Sequence, residues 1–170
     1  METIIYKDQI LTITDKLYRL ARSILRNDVA AQDAVQDLNL KLWEKRKQLL
    51  EVDNVPAFAM RSMRNLCLDY LRQSHEGNEI PDNIEYEEMN PYQQTEQRDM
   101  VRRVQEMIER LPELQRSVIK MRDVEGMEIS EIAYITQISE NAVSVNLSRA
   151  RLRIREQIVN EHKRVEQWQR

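Results

Sequence analysis

Glycine occurs at only two places in this 170-residue chain, Gly77 and Gly126, and proline at four, while Leu, Ile, Met, Glu, Gln and Arg are abundant. A chain with so few sharp-turn residues and so many strong helix formers folds as helices with short punctuation between them. The expectation is an all-α protein. Cys67 stands alone and the two histidines, His75 and His162, are far apart, so the sequence offers neither an intramolecular disulfide nor a metal-ligand cluster. No apolar run approaches the roughly 18–20 residues that span a bilayer, and METIIYKDQI lacks the basic-then-apolar layout of a secretion signal. A cytoplasmic protein, not embedded in a membrane, is expected.

The formal net charge of −3 is unevenly spread. Residues 74–97, SHEGNEIPDNIEYEEMNPYQQTEQ, carry seven carboxylates and no Lys or Arg, between two blocks that are each mildly basic. This strip also holds Gly77, Pro81 and Pro91 and has few periodic apolar residues. It is too polar to bury a core and repels itself, which is the composition of a linker. Two small helical domains are therefore expected, 1–73 and 98–170, joined by an acidic linker at 74–97.

In the first domain, Ile10, Ile13, Leu17, Leu20, Ala21, Ile24 and Leu25 recur at helical spacing. Asp28 is expected to cap a second helix running to about Gln48, and Pro56 suits the first turn of a third that ends near Gln73. Beyond the linker come RDMVRRVQEMIERL, then a helix opened by Pro112 and ended by Gly126, then two more at about 129–137 and 140–158.

Within the last of these, SRARLRIRE places arginine at every second position, 149, 151, 153 and 155. Alternation suggests a strand, but Val143, Leu147, Ala150, Ile154 and Ile158 fall within about 80° of one another on a helix. The helical stripe is the better fit. Arg149 and Arg153, and likewise Arg151 and Arg155, then stand at i, i+4, a mildly repulsive arrangement that an anionic partner would relieve. The preceding short helix, a turn at Gln137-Ile138-Ser139 with Ser139 as cap, and an open face carrying Asn141, Ser144, Asn146, Ser148, Arg149 and Arg151 compose a helix-turn-helix. In that motif the start of the second helix enters the major groove, where Asn, Ser and Arg read base edges or grip phosphates. An αα-hairpin with a solvated basic face fits the same pattern, and the turn lacks the glycine often found there.

On the second helix, Ala31, Ala34, Val35, Leu38 and Leu42 make the core stripe, while Leu40 and Trp43 lie on the far side among Asp33, Gln36 and Lys47. A Leu–Trp pair on a polar face suits a protein-binding patch, although a third helix could equally cover it. On the third, Arg61, Arg64 and Arg72 with Asn65 and Asp69 make either a solvated face or, combined with Lys45, Arg46 and Lys47 and with Phe58 and Tyr70, a groove for unpaired nucleic acid.

In order, these segments resemble an extracytoplasmic-function sigma factor, the minimal two-domain class of bacterial transcription initiation factors. LYRLARSIL, DAVQDLNLKLW and NVPAFAMRSMRNLCLDYLR resemble sigma region 2; LPELQRSVIKMRDVEGMEISEIAYITQIS with LSRAR resembles region 4. The resemblance implies a non-enzymatic protein without cofactors or a small-molecule substrate. Its partners would be the RNA polymerase core (β′ clamp helices and β flap), promoter DNA and an anti-sigma factor. Asp33, Gln36, Asp37, Leu40 and Trp43 would dock on the polymerase. Asn54, Arg61, Arg64 and Asn65 would melt and hold the minus-ten element. Arg122, Asn141, Ser144, Asn146, Ser148, Arg149 and Arg151 would read or anchor the minus-thirty-five element. Where the family commonly has Pro-x-Gly-Thr-Val-Lys-Ser-Arg, this chain has Ser139-Glu140-Asn141-Ala142-Val143-Ser144-Val145-Asn146, which implies weaker phosphate anchoring near the helix start. Glu128 stands at the usual capping Ser/Thr position, a poorer cap but an acid at a positive helix end. Two other readings fit the residues: a stand-alone helix-turn-helix regulator binding operator DNA as a dimer, and a helical scaffold whose arginines meet an acidic protein surface.

Overall fold

Every fold decision in the first 75 residues concerns where a helix stops, because nearly every residue there favours continuing one. The computed structural model describes residues 1–75 and 96–168 of the chain, all helix and connecting turns with no strand among them. The expected linker, 74–97, lies outside the described residues except at its two ends. Contacts gather the described residues into two units, the first drawn from Met1–Glu85 and Ser130–Ile138, the second from Tyr86–Ile129 and Ser139–Arg170.

The first unit opens with a short helix α1 (Glu2–Ile5), a π-helical turn at Tyr6–Ile10 and a 3₁₀ turn at Leu11–Ile13, then α2 (Thr14–Leu25). Arg26 ends α2 by taking a left-handed φ of 54°, and its amide returns to the Arg22 carbonyl at 2.8 Å. That reversal sets Asn27 in extended conformation, and its Oδ1 accepts from the Ala30 amide at 2.9 Å to cap α3 (Asp28–Glu44). The cap is thus Asn27 rather than the expected Asp28. Asp28 instead accepts from the Tyr18 hydroxyl at 3.0 Å and pairs with Arg22.

Helix α3 buries Ala31, Ala34, Val35, Leu38 and Leu42, the expected stripe. It stops at Glu44, short of the expected Gln48, and a 3₁₀ turn at Gln48–Glu51 drops Leu49 into the core at 2% exposure. Asn54 caps α4 (Val55–His75): its Oδ1 accepts from the Ala57 amide at 2.9 Å and its carbonyl from the Phe58 amide at 3.0 Å. Pro56 falls in the first turn, where its missing N–H costs nothing. Helices α2, α3 and α4 pack on one another around Leu17, Ala21, Ile24, Leu38, Met63 and Cys67. Each fully buried large aliphatic contributes about 1.5–3 kcal/mol relative to solvent exposure.

In the second unit, α5 (Glu96–Glu109) leads to Pro112, whose ψ of 148° stops the chain from extending that helix, and to α6 (Glu113–Ile119). Arg116 is buried at 3% exposure and spends its guanidinium on orphan carbonyls near the end of α5, Leu111 O at 2.9 Å and Glu109 O at 3.3 Å. A π-helical turn at Lys120–Val124 follows, and Gly126, with φ +69°, reverses the chain as expected. The Met127 amide then reaches back to the Met121 carbonyl at 2.9 Å. Helix α8 (Glu140–Trp168) continues well past the expected end near 158. It buries Val143, Leu147, Ala150 and Ile154, and α5 and α6 pack against it. The short α7 (Ile129–Thr136), which from Ser130 onward belongs to the first unit, buries Ile132, Ile135 and Thr136.

Candidate functional site

Three groups of side chains are displayed by this framework. The first is the outer face of α3. Asp33, Gln36, Asp37, Leu40 and Trp43 are all exposed there, Leu40 at 62% and Trp43 at 40%. Of the two readings open for Leu40 and Trp43, the uncovered patch is therefore the one the first unit adopts. The patch is not loose, however. The Tyr70 hydroxyl donates to Asp37 Oδ2. Burial, and then the neighbouring Asp37 carboxylate, push the Tyr70 phenol up to about 12. Trp43 is held on two sides: the Tyr6 ring meets it edge-on with centroids 5.1 Å apart and planes at 75°, and the Arg46 guanidinium lies 4.6 Å from its ring centroid. Tyr6 was not singled out by sequence reasoning, and Arg46 entered only as one of the basic residues of a nucleic-acid groove, not as a partner of Trp43. Arg46 could have been found as the i+3 neighbour of Trp43; Tyr6, far away along the chain, left no periodic trace.

The second group surrounds α4. Asn54 and Asn65 are exposed, Arg61 is half-buried, and Arg64 is buried at 8% exposure, so its guanidinium is not offered to solvent as those of a surface cluster would be. Within the first unit, Arg61 Nη2 donates to Gln137 Oε1 at 3.2 Å and its guanidinium lies 4.9 Å from the Tyr134 ring centroid. Gln137 Nε2 in turn donates to Asn65 Oδ1 at 2.8 Å, and Asn54 Nδ2 donates to Glu131 Oε1 at 3.4 Å. The structure thus brings Arg61 and Asn65 together around one glutamine. Beside them a cavity of about 270 Å³ opens between α3, the Gln48–Glu51 turn and α4. Leu42, Leu49, Phe58 and Leu66 line it, as do Lys41, Lys45, Asn65 and Asp69.

The third group begins at the turn before α8. Gln137 takes a left-handed φ of 59°, a conformation glycine adopts without steric cost, which explains how the turn forms without one. Ser139 caps α8 as expected, its Oγ accepting from the Ala142 amide at 3.1 Å. Asn141, Ser144, Ser148, Arg149 and Arg151 are exposed along α8. Asn146 is half-buried and turns its Nδ2 back to the Ala142 carbonyl at 2.8 Å. Arg151 forks onto Asp123, Nη2 to Oδ1 at 2.6 Å and Nε to Oδ2 at 3.1 Å, which raises its pKa further. Arg149, Arg153 and Arg155 form no ion pair among the described residues. Arg122 donates to the Met127 carbonyl at 2.7 Å and stands 3.5 Å from Glu128, so it braces the turn that Gly126 makes.

Residues 12–76, which include α3 and most of the α4 group, match the sigma-70 region 2 family, and residues 101–154, which include α7 and the exposed start of α8, match sigma-70 region 4. The chain is 30% identical over 140 residues to the ECF RNA polymerase sigma factor SigM of Mycobacterium tuberculosis, covering 82% of this chain and 69% of that one. It is 30% identical over 131 residues to the RNA polymerase sigma factor FliA of Yersinia enterocolitica, covering 76% of this chain and about half, 53%, of that relative. Among solved structures, the fold resembles the sigma factor RpoE of Bartonella quintana, crystallised with the anti-sigma factor NepR. The TM-score is 0.71 at 22% identity, over 90% of this chain and 96% of that one. It also resembles CnrH, solved with the cytosolic domain of CnrY, with a TM-score of 0.60 at 20% identity over 91% of this chain and 88% of that one.

An all-helical fold with a region 2 match followed by a region 4 match defines the sigma-70 class. Within it, this chain belongs to the extracytoplasmic-function RNA polymerase sigma factors.

Proposed function

We propose that this protein binds core RNA polymerase and directs transcription initiation at a particular set of promoters, supplying recognition while the polymerase supplies the chemistry. The single observation that carries the reading is a division of labour. The region 2 match leaves Leu40 and Trp43 in solvent on α3, and the region 4 match leaves Arg149 outward on α8 beside Asn141, Ser144 and Ser148. An apolar and aromatic patch ringed by Asp33, Gln36 and Asp37 suits the clamp helices of the β′ subunit, because Trp concentrates binding energy at interfaces. The second domain would meet the β flap, and an acidic linker would stand in the RNA exit path in place of an anionic transcript.

Asn54, Arg61 and Asn65 would hold the non-template strand of the minus-ten element, exchanging their hydrogen bonds to Glu131 and Gln137 for contacts with DNA. The neighbouring cavity, lined by apolar side chains together with Lys41, Lys45, Asn65 and Asp69, supports accommodation of an unstacked base, whose extrusion costs a few kcal/mol. Buried Arg64 would support that wall from behind. Arg149 would read a base or grip a phosphate of the minus-thirty-five element, and Arg151 and Arg122, which bond Asp123 and the Met127 carbonyl, would meet its phosphates. An anti-sigma factor, as NepR is for RpoE, is the proposed regulator.

The test mixes the purified chain with bacterial core polymerase and genomic fragments of the encoding organism, then measures initiation at defined start sites. Specific transcripts that vanish with Trp43→Ala or Arg149→Ala support the reading. Core binding without promoter-specific transcripts overturns it. Tight dimeric binding to duplex DNA without polymerase would favour a stand-alone regulator.

A further inference from the structure

We infer that Tyr6, which lies before the residues that match region 2, is a positioning residue for Trp43, and that with Arg46 it presents the indole to the polymerase in one fixed orientation. This inference rests on the proposed docking role of α3. A Trp exposed at 40% on a helix surface would ordinarily sample several rotamers, and ordering a side chain at an interface costs affinity. Here two contacts restrict it. The Tyr6 ring approaches edge-on at 5.1 Å and 75°, the T-shaped geometry that aromatic pairs favour. The Arg46 guanidinium lies 4.6 Å from the ring centroid, close enough for a cation–π contact, while its Nη1 donates to the Trp43 carbonyl at 2.9 Å.

Tyr6 is itself anchored. It is buried at 8% exposure, and its hydroxyl donates to the Asn39 carbonyl at 3.2 Å, one helical turn before Trp43 on α3. The π-helical turn that carries Tyr6 also buries Ile10 completely, which ties the segment to the core of the first unit. The N-terminal segment thus fixes the part of α3 from which Trp43 projects and leaves the remaining indole surface outward.

The experiment uses the full chain with Trp168→Phe, so that Trp43 is the one tryptophan, and reads two quantities. Fluorescence anisotropy reports the mobility of the indole without polymerase, and competition binding reports affinity for core polymerase. Tyr6→Ala is expected to lower the anisotropy and weaken core binding about two- to tenfold, the range set by an aromatic pair. Tyr6→Phe keeps the ring and should restore both. In a Trp43→Ala background Tyr6→Ala should cost nothing further, because a positioning residue acts only through the residue it positions. Should Tyr6→Ala fail to fold, Arg46→Met, which removes the cation at similar volume, carries the same two readouts.

Unchanged anisotropy and affinity would overturn the inference, as would an equal loss with and without Trp43. If Trp43→Ala binds core as tightly as the parent, the docking role of α3 fails; the anisotropy arm, which needs no polymerase, then still decides whether Tyr6 fixes the indole.

Discussion

Arg151 on α8 meets Asp123, in the π-helical turn after α6, through two parallel contacts of 2.6 and 3.1 Å. Arg149, two residues earlier, forms no ion pair among the described residues. Two arginines that are equivalent in the sequence pattern are therefore inequivalent in their surroundings. One is held by a carboxylate partner, and the other has none among the described residues.

Removing that partner should be visible in salt dependence. Asp123→Asn is expected to steepen the log–log salt dependence of holoenzyme binding to the upstream promoter duplex by about 0.9, because Arg151 then releases one more counterion. The stability cost should stay within about 1 kcal/mol, since both side chains are substantially exposed, at 51% and 38%. An unchanged slope would place Arg151 away from the phosphates.

Arg149→Ala separates two roles. Loss of a base contact would cost about 1–3 kcal/mol and relax preference at one promoter position, whereas loss of a phosphate contact would weaken all sequences alike and flatten the salt slope by about 1. Competition binding with single-base variants of a selected promoter distinguishes them.

Asn54 caps α4 and is proposed to hold promoter DNA, and specific substitutions separate the two. Asn54→Ala removes the α4 cap and should destabilise the protein by about 1 kcal/mol in urea unfolding. Asn54→Asp keeps a capping oxygen but loses the bond to Glu131 and faces its carboxylate, so stability should fall less than in Asn54→Ala, while the added negative charge should reduce promoter opening, read by permanganate reactivity of unpaired thymines.

Gly126→Ala should destabilise by about 1 kcal/mol through backbone strain alone, because φ is +69° and a Cβ at this position would meet nothing within 4 Å. Thermal unfolding measures it. If the effect were absent, the turn would have to relax to a negative φ.

Tyr70 predicts an alkaline limit. Its phenol titrates near 12 in the folded chain against an ordinary 10.0, so folding favours the protonated form. That contribution is complete below about pH 10 and is lost as pH rises through about 12. Tyr70→Phe should therefore flatten the alkaline fall of the urea midpoint, in a comparison with the parent chain across that window.

Much of the fold was legible because helix period assigns sides without knowledge of partners. The stripes Ala31 to Leu42 on α3 and Val143 to Ile154 on α8 are buried as their spacing requires. Leu40 and Trp43 emerge where the same arithmetic puts them. Single-residue choices were less legible. Asn27 and Asp28 are both good capping residues, and the left-handed Arg26 settled which one meets the Ala30 amide. The face to which Arg64 belongs could be read from its position, but its burial depended on what the rest of the first unit packed over it.

The sequence by itself determined that the described residues are helical and which face of each long helix is apolar, since these follow from local propensity and periodicity. Only the tertiary structure decided which polar side chains are occupied: Tyr6 against Trp43, Tyr70 on Asp37, Asp123 on Arg151. Such pairings join residues with no periodic relation along the chain, and the short range of ring contacts, hydrogen bonds and ion pairs makes them depend on how distant helices meet.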